Sequence, residues 1–465
     1  MNDKIEMPYI FSDNMVLQRG KRIPVWGKSD QDVEIIFDGK SYSGKSKDGC
    51  FKLYLDSHAA ASNLEMQIKS GDEIITYSNI SVGEVWIAGG QSNMEWLLEN
   101  STDGCFDMQF ADFGSNIRYF AAPHFDSEKN RDVNKNDRLG WCEALLDSGK
   151  ISACAYYFAQ RLYSKLGVPI GIIDCNLGAT SILHWIPEEY LDDEKYTPYV
   201  RGYREFLDGK RISENNKIMG SAIEVLYGAC FENYVRNICP YAAMGVIWYQ
   251  GEADAAGRES AKLYTHAFET LVRSWREQLE NSELRFISVL LAGYGGEWMG
   301  GSESKAWAYM RDAQIQACEN THTYYVSAVD RGGVDNIHPE EKMIVGQRLA
   351  GCALNKIYGM DIKWKCPKMS KILIEDGILK IYFKHTYGRL FASCREVCDI
   401  MVKDRLKLWY RHQTVVAEDH LEVKVGNIEV TKVRFCYCNN PQIRIYNKYG
   451  LPAVPFEYDF ANVGK

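Results

Sequence analysis

The chain has 465 residues, 46% of them hydrophobic and 25% charged, with a formal net charge of −8. It is too long for one ordinary core, so two or three globular domains are expected. An acidic balance with no basic block or stripe excludes a nucleic-acid binder, and no apolar run reaches the roughly 18 residues that span a bilayer.

The N-terminus, Met1-Asn2-Asp3-Lys4-Ile5-Glu6, has no apolar stretch of the kind a signal peptide needs, so a cytoplasmic protein is expected. Up to about residue 80 the chain reads as short strands, at 33–37, 51–55, 64–69 and 73–77. Turns such as Asp38-Gly39 and Asp48-Gly49 separate them, which predicts a small antiparallel β-sandwich over 1–80. From Gly83 the rhythm changes. Strand-like runs at 85–88, 117–120, 170–174, 244–249, 286–291 and 324–326 alternate with helical patterns at 153–166, 222–238, 261–279, 307–318 and 340–357. That alternation predicts an α/β domain over 81–362 with a parallel sheet covered on both faces. After Cys366-Pro367, strands return at 372–374, 379–383, 406–410, 420–425, 432–437 and 442–446, predicting a second β module over 363–465.

Ligands of such a sheet bind beyond the carboxyl ends of its strands, and four stretches there carry chemistry. After the run 85–88 come Gly89, Gly90, Gln91 and Ser92. A serine on a tight strand-to-helix turn exposes its hydroxyl and sits among N–H donors, as a nucleophile requires; it is equally a common helix cap. Asp335 and His338, three apart before Pro339, suit a base and its orienting carboxylate, or a plain turn with a solvated histidine. Gly178 lets the backbone approach a ligand closely, or simply makes a turn. Gln250 follows a strand and offers an amide to an oxyanion, while Glu252 and Asp254 raise the question of a carboxylate pair.

The fourteen cysteines lack zinc-ligand spacing; Cys394/Cys398 and Cys436/Cys438 have no second pair at the right distance. Most others sit singly in apolar runs and read as reduced core residues, so no metal and no cofactor is expected.

Gly90-Gln91-Ser92-Asn93-Met94, Trp248-Tyr249-Gln250-Gly251-Glu252 and Asp335-Asn336-Ile337-His338-Pro339 together resemble the sialate O-acetylesterase family, a branch of the SGNH hydrolases. The likeness extends to Phe11–Arg19 with Pro24-Val25-Trp26-Gly27, and to Gly450-Leu451-Pro452-Ala453-Val454-Pro455-Phe456, so it spans nearly the whole chain. The resemblance implies a three-layer α/β/α SGNH-type catalytic domain flanked by β-sandwich modules. It also implies metal-free removal of O-acetyl groups from sugars, O-acetylated sialic acid foremost. It makes Ser92 the nucleophile, His338 the base and Asp335 its partner, with Ser92, Gly178 and Gln250 as the oxyanion hole. Gln91, Trp248, Glu252 and Arg331 are expected to bind the acetylated carbohydrate.

This chain departs from the family at Leu177-Gly178-Ala179-Thr180, where an aromatic and two glycines usually precede the threonine. Met94 also excludes the Gly-x-Ser-x-Gly elbow. An acetyl xylan or broad-range polysaccharide acetylesterase is the nearest rival, and Arg331 or Arg311 would have to supply the cation for a sialate carboxylate. A carbohydrate-binding protein without turnover, using Trp86, Trp96, Trp185, Trp248 and Tyr249 for stacking, is the rival of another class. Oligomeric state is not legible.

Overall fold

A computed structural model describes residues 4–102, 104–110, 116–121, 124–126, 131–133, 140–144, 150–219, 225–296, 304–395 and 397–462. The chain divides into two compact units. Met1–Ala253, His266–Ile287 and Glu340–Ala350 form the first; Asp254–Thr265, Ser288–Pro339 and Gly351–Lys465 form the second.

The first unit opens with β1 (Val16–Gln18), β2 (Ile23–Lys28), β3 (Val33–Phe37), β4 (Lys40–Gly44), β5 (Cys50–Leu55), β6 (Ala61–Ser70) and β7 (Glu73–Gly90). In β3 the apolar residues Val33, Ile35 and Phe37 alternate inward, as a half-buried strand must. β3 pairs antiparallel with β4 and β6, and β2 with β5.

β7 has two characters. Over 73–79 its residues alternate between half-buried and exposed, and this stretch pairs antiparallel with β6. From Ile80 to Gly90 every residue is buried, and residues 84–90 pair parallel with β12 (Ile170–Asn176) and β13 (Gly245–Tyr249). Continuous burial is what a parallel strand covered on both faces requires. The boundary expected at residue 80 therefore falls inside one strand.

The sheet continues in the order β11-β8-β12-β7-β13-β14, with β8 at Ile117–Ala121, β11 at Trp141–Glu143 and β14 at Arg285–Leu290; β8, β12, β7 and β13 are parallel and β11 is antiparallel to β8, while β9 (His124–Asp126) and β10 (Arg131–Val133) form a separate pair. Helices α1 (Ser92–Glu95), α2 (Gly104–Phe110), α3 (Ala153–Leu166), α4 (Thr197–Leu207) and α5 (Arg258–Gln278) intervene, the residues of α5 up to 265 belonging to the second unit. α3 matches its expected span because its end signals are explicit. Ser152 Oγ accepts the Ala155 N–H, and Gly167 closes the helix at φ +64°.

The helix expected over 222–238 is not continuous. Residues 222–224 lie outside the described residues, Phe231–Val235 is a π-helical turn and Arg236–Ile238 a 3-10 turn. The helix Thr197–Leu207 was not expected at all.

In the second unit, the end of β14 lies beside β15 (Tyr324–Ser327), with α6 (Ala306–Asn320) between them in the chain. α7 (Lys342–Lys356) follows the loop holding Asp335 and His338; its first residues, up to 350, belong to the first unit. The C-terminal strands are β16 (Lys368–Glu375), β17 (Ile378–Lys384), β18 (Leu390–Ala392), β19 (Val397–Lys403), β20 (Trp409–Val416), β21 (His420–Lys424), β22 (Lys432–Phe435), β23 (Ile445–Asn447) and β24 (Phe456–Asp459). Seven of them form an antiparallel sheet, β16-β17-β21-β20-β19-β22-β24, over a core of Leu379, Ile381, Ile400, Val402, Leu421, Val423, Val433 and Phe435. The strand expected over 406–410 is mostly a turn: Leu406 is 79% exposed, Lys407 has φ +67°, and β20 starts only at Trp409.

Candidate active site

Three strand ends are level in the first unit. Gly90, the last residue of β7, is the register partner of both Asn176 and Tyr249, the last residues of β12 and β13. The loops that follow leave side by side. Gly90 has φ +143°, and a Cβ there would lie 2.1 Å from the Tyr249 carbonyl oxygen, so only glycine fits. Ser92 is the first residue of α1 and is partly exposed. The capping position is held by Gln91, so the serine hydroxyl is not the helix cap.

Gly178 lies against this turn. A Cβ built on it would stand 3.4 Å from Ser92 Cβ. Its N–H, the expected oxyanion donor, donates to Glu95 Oε2 at 2.6 Å. Ala179, where the family usually has a second glycine, keeps the left-handed conformation at φ +59°. An alanine held there costs about 1–2 kcal/mol relative to glycine. Thr180 locks the loop: its hydroxyl donates to the Leu177 carbonyl at 2.8 Å and accepts the Trp185 indole N–H at 2.9 Å.

Four expected site residues have other roles in this geometry. Gln250 is fully buried, and its amide nitrogen donates to Gln91 Oε1 at 3.2 Å and to the Thr180 carbonyl at 2.9 Å. Both amide hydrogens go to protein oxygens, so it braces two loops and does not face an oxyanion. Gln91, 1% exposed, accepts from Gln250 and from the backbone N–H groups of Gly251 and Ala253. It staples the 250–253 loop to the serine turn. Trp248 is fully buried, edge-on to Trp185 at 6.1 Å and Trp275 at 5.9 Å, so it belongs to the core; Trp86, Trp185 and Tyr249 are likewise fully buried. Glu252, 2% exposed, accepts the Asn93 amide at 2.6 Å, and its Oε2 finds no hydrogen-bond partner among the described residues. Burial raises its pKa above the usual carboxylate range.

Lys342 went unnoticed in the sequence, because a lysine at a helix start reads as solvated. It is 1% exposed and donates to Asn93 Oδ1 at 2.5 Å. Burial lowers its pKa to about 8, against the opposing fields of Cys154, Glu252 and Glu340.

The second unit holds the other expected residues. The loop bearing them is tied down by the Gly295 N–H to the Val334 carbonyl and by a bridge between Tyr294 and Gly333. Asp335 is exposed, and its carboxylate makes no hydrogen bond or ion pair among the described residues. His338 is partly exposed, and its backbone N–H donates to Asn336 Oδ1 at 2.8 Å. Arg331 pairs with Asp330 at 2.8 Å, the Asp330 side chain being 1% exposed. Arg311 is buried and donates to the carbonyls of Cys438 and Asn439, which makes it a structural arginine.

Among the described residues no cysteine is disulfide-bonded, no group of three or more His, Cys, Asp or Glu is placed to hold a metal ion, and no helix is long and apolar enough to cross a membrane. The Cys398 side chain lies outside the described residues.

A serine at the head of a short helix, against a glycine N–H at level strand ends, is an arrangement of ester hydrolases. Residues 82–355 match the family described as carbohydrate esterase, sialic acid-specific acetylesterase, and the chain belongs to that family. It is a carboxylic ester hydrolase of the carbohydrate esterase kind. It is similar to a sialate O-acetylesterase of Mus musculus, 22% identical over 81% of this chain and 77% of that one. The sialate O-acetylesterase of Homo sapiens is also 22% identical, over 90% of this chain and 83% of its own length. Among solved structures, a carbohydrate acetylesterase from Xanthomonas citri superposes with a TM-score of 0.83 at 26% identity, covering 98% of this chain and all of the other.

Proposed function

We propose that the protein is a serine esterase that removes O-acetyl groups from sugars through an acetyl-Ser92 intermediate, on an SGNH-type three-layer catalytic domain. The observation that carries this is the packing of Ser92 against Gly178 at the common end of β7, β12 and β13.

Ser92 attacks the acetyl carbonyl and passes its proton to His338, the base in this reading, with Asp335, whose carboxylate makes no hydrogen bond among the described residues, having to turn to the imidazole to act as its partner. The Ser92 and Gly178 N–H groups hold the oxyanion, Glu95 having withdrawn from Gly178. The sugar hydroxyl leaves with the proton from His338. Water then hydrolyses the acetyl-enzyme by the same route.

O-acetylated sialic acid is the first substrate to test, given the relatives' names. One observation favours a second reading, a neutral acetylated sugar. The guanidinium of Arg331, expected to meet a sialate carboxylate, already pairs with Asp330. Acetate release from 9-O-acetyl sialic acid, acetylated xylan and acetylated xylose separates the two. The first reading expects turnover with the sialate to exceed the others, and the second expects the neutral sugars to lead. Release that persists undiminished in Ser92→Ala contradicts both.

A further inference from the structure

Asn93, the residue after Ser92, is held from three directions. Its amide oxygen accepts from Lys342 Nζ at 2.5 Å, its amide nitrogen donates to Glu252 Oε1 at 2.6 Å, and its carbonyl receives the Cys154 thiol at 3.8 Å. Lys342 and Asn93 are 1% exposed and Glu252 is 2%. The ammonium also lies 5.5 Å from the centre of the Trp96 ring and 5.7 Å from that of Tyr249. A buried lysine is costly unless paired, and an amide bridging a cation to a carboxylate meets that need on both sides. Asn93 cannot turn without breaking two charge-assisted hydrogen bonds in a site closed to water. A turn of Asn93 would move the adjoining Ser92 hydroxyl.

We propose that Lys342 is the positioning residue of this esterase, fixing the nucleophile turn through Asn93 against Glu252. The proposal rests on the reading of Ser92 as nucleophile. Lys342 touches neither substrate nor reacting atoms; it acts through Asn93.

The device is sensitive to alkali. The titratable groups facing Lys342 are Glu252 after β13, Cys154 on α3, Glu340 just before α7, and the Tyr249 ring. Burial holds the ammonium pKa down to about 8. When the proton leaves, the attraction to both rings is lost, and Glu252 remains buried without its cation. Ser92 is then held less well, so kcat falls while KM stays.

The test is the pH profile of kcat and KM on an acetylated sugar for wild type, Lys342→Met, Lys342→Arg and Glu252→Gln, with Ser92→Ala as control. Wild type is expected to lose kcat with a midpoint near 8 and an unchanged KM. Lys342→Arg, which keeps its charge, should move that limb to higher pH. Lys342→Met should lack the limb and lose about 10- to 100-fold in kcat, the scale of a small misplacement of a reacting group. Glu252→Gln should move the limb to lower pH, and reads the same device if Lys342→Met does not fold.

A wild-type kcat flat through this range, or wild-type kcat in Lys342→Met, overturns the proposal. Turnover surviving in Ser92→Ala overturns instead the nucleophile reading beneath it.

Discussion

The Gly178 N–H and the Glu95 carboxylate are joined by a hydrogen bond of 2.6 Å, three residues from the serine that the N–H would serve. A carboxylate accepting there is the same kind of acceptor as the oxyanion that the proposed function assigns to this N–H. On the proposed reading of Gly178 as an oxyanion donor, substrate entry requires Glu95 to give up this contact. Gly178→Ala tests the importance of the spot. The new Cβ would stand 2.9 Å from Glu95 Oε2, the end of a flexible side chain that can swing aside, and 3.4 Å from Ser92 Cβ, an ordinary van der Waals contact. Alanine keeps the N–H but sets a methyl beside Ser92, so turnover should fall by less than the roughly 100-fold of a lost oxyanion donor, with little change in melting temperature. Steady-state kinetics and a thermal melt of the variant check this.

Gln250→Leu separates a brace from an oxyanion donor. The substitution removes the hydrogen bonds that Gln250 donates to Gln91 and Thr180 from a fully buried place. The variant should lose about 1–3 kcal/mol of stability, because Gln91 Oε1 and the Thr180 carbonyl lose a donor. Denaturant unfolding measures it. A stable variant with a specific loss in kcat would restore the oxyanion role.

His184 makes the first unit sensitive to acid. It is fully buried, with Nδ1 3.2 Å from the Ser181 carbonyl and Nε2 3.2 Å from that of Val225. Burial lowers its pKa from 6.5 to about 4. The unfolded chain then binds a proton that the folded chain refuses, so stability is full above 6.5 and drains away as pH falls to about 4. The loss is on the order of 3 kcal/mol. Unfolding measured across that window should show the slope, and His184→Gln should flatten it.

Arg331→Ala bears on substrate choice. If the guanidinium serves Asp330, the variant raises KM or lowers stability alike for sialate and neutral sugars. If it serves the substrate carboxylate, KM rises for the sialate alone. The 2.8 Å pair with Asp330 predicts the first result.

The parts of this molecule legible in sequence are those whose signals are local. The run ending in Gly89-Gly90 announced both a strand and the turn bearing Ser92, and Ser152 with Gly167 fixed α3 at both ends. Trp248 was harder, because all of β13 is buried and the sequence does not say which side of such a strand meets a ligand. Gln91 and Gln250 looked like ligands for the same reason that they make good staples: an amide can serve either. Lys342 was invisible, since its partner Asn93 lies 249 positions away and only the fold brings them together. Leu406 and Leu408 misled in the opposite way, as apolar residues exposed on a turn built by Asp404, whose carboxylate accepts the Leu408 N–H.

The central claim is that Ser92 carries the acetyl group during turnover. The direct measurement is mass analysis of peptides from enzyme quenched by acid while it turns over an acetyl ester. The account predicts one added acetyl group on the peptide containing Ser92, absent from Ser92→Ala treated in the same way. An acetyl group trapped on another residue, or Ser92→Ala releasing acetate at the wild-type rate, would contradict it.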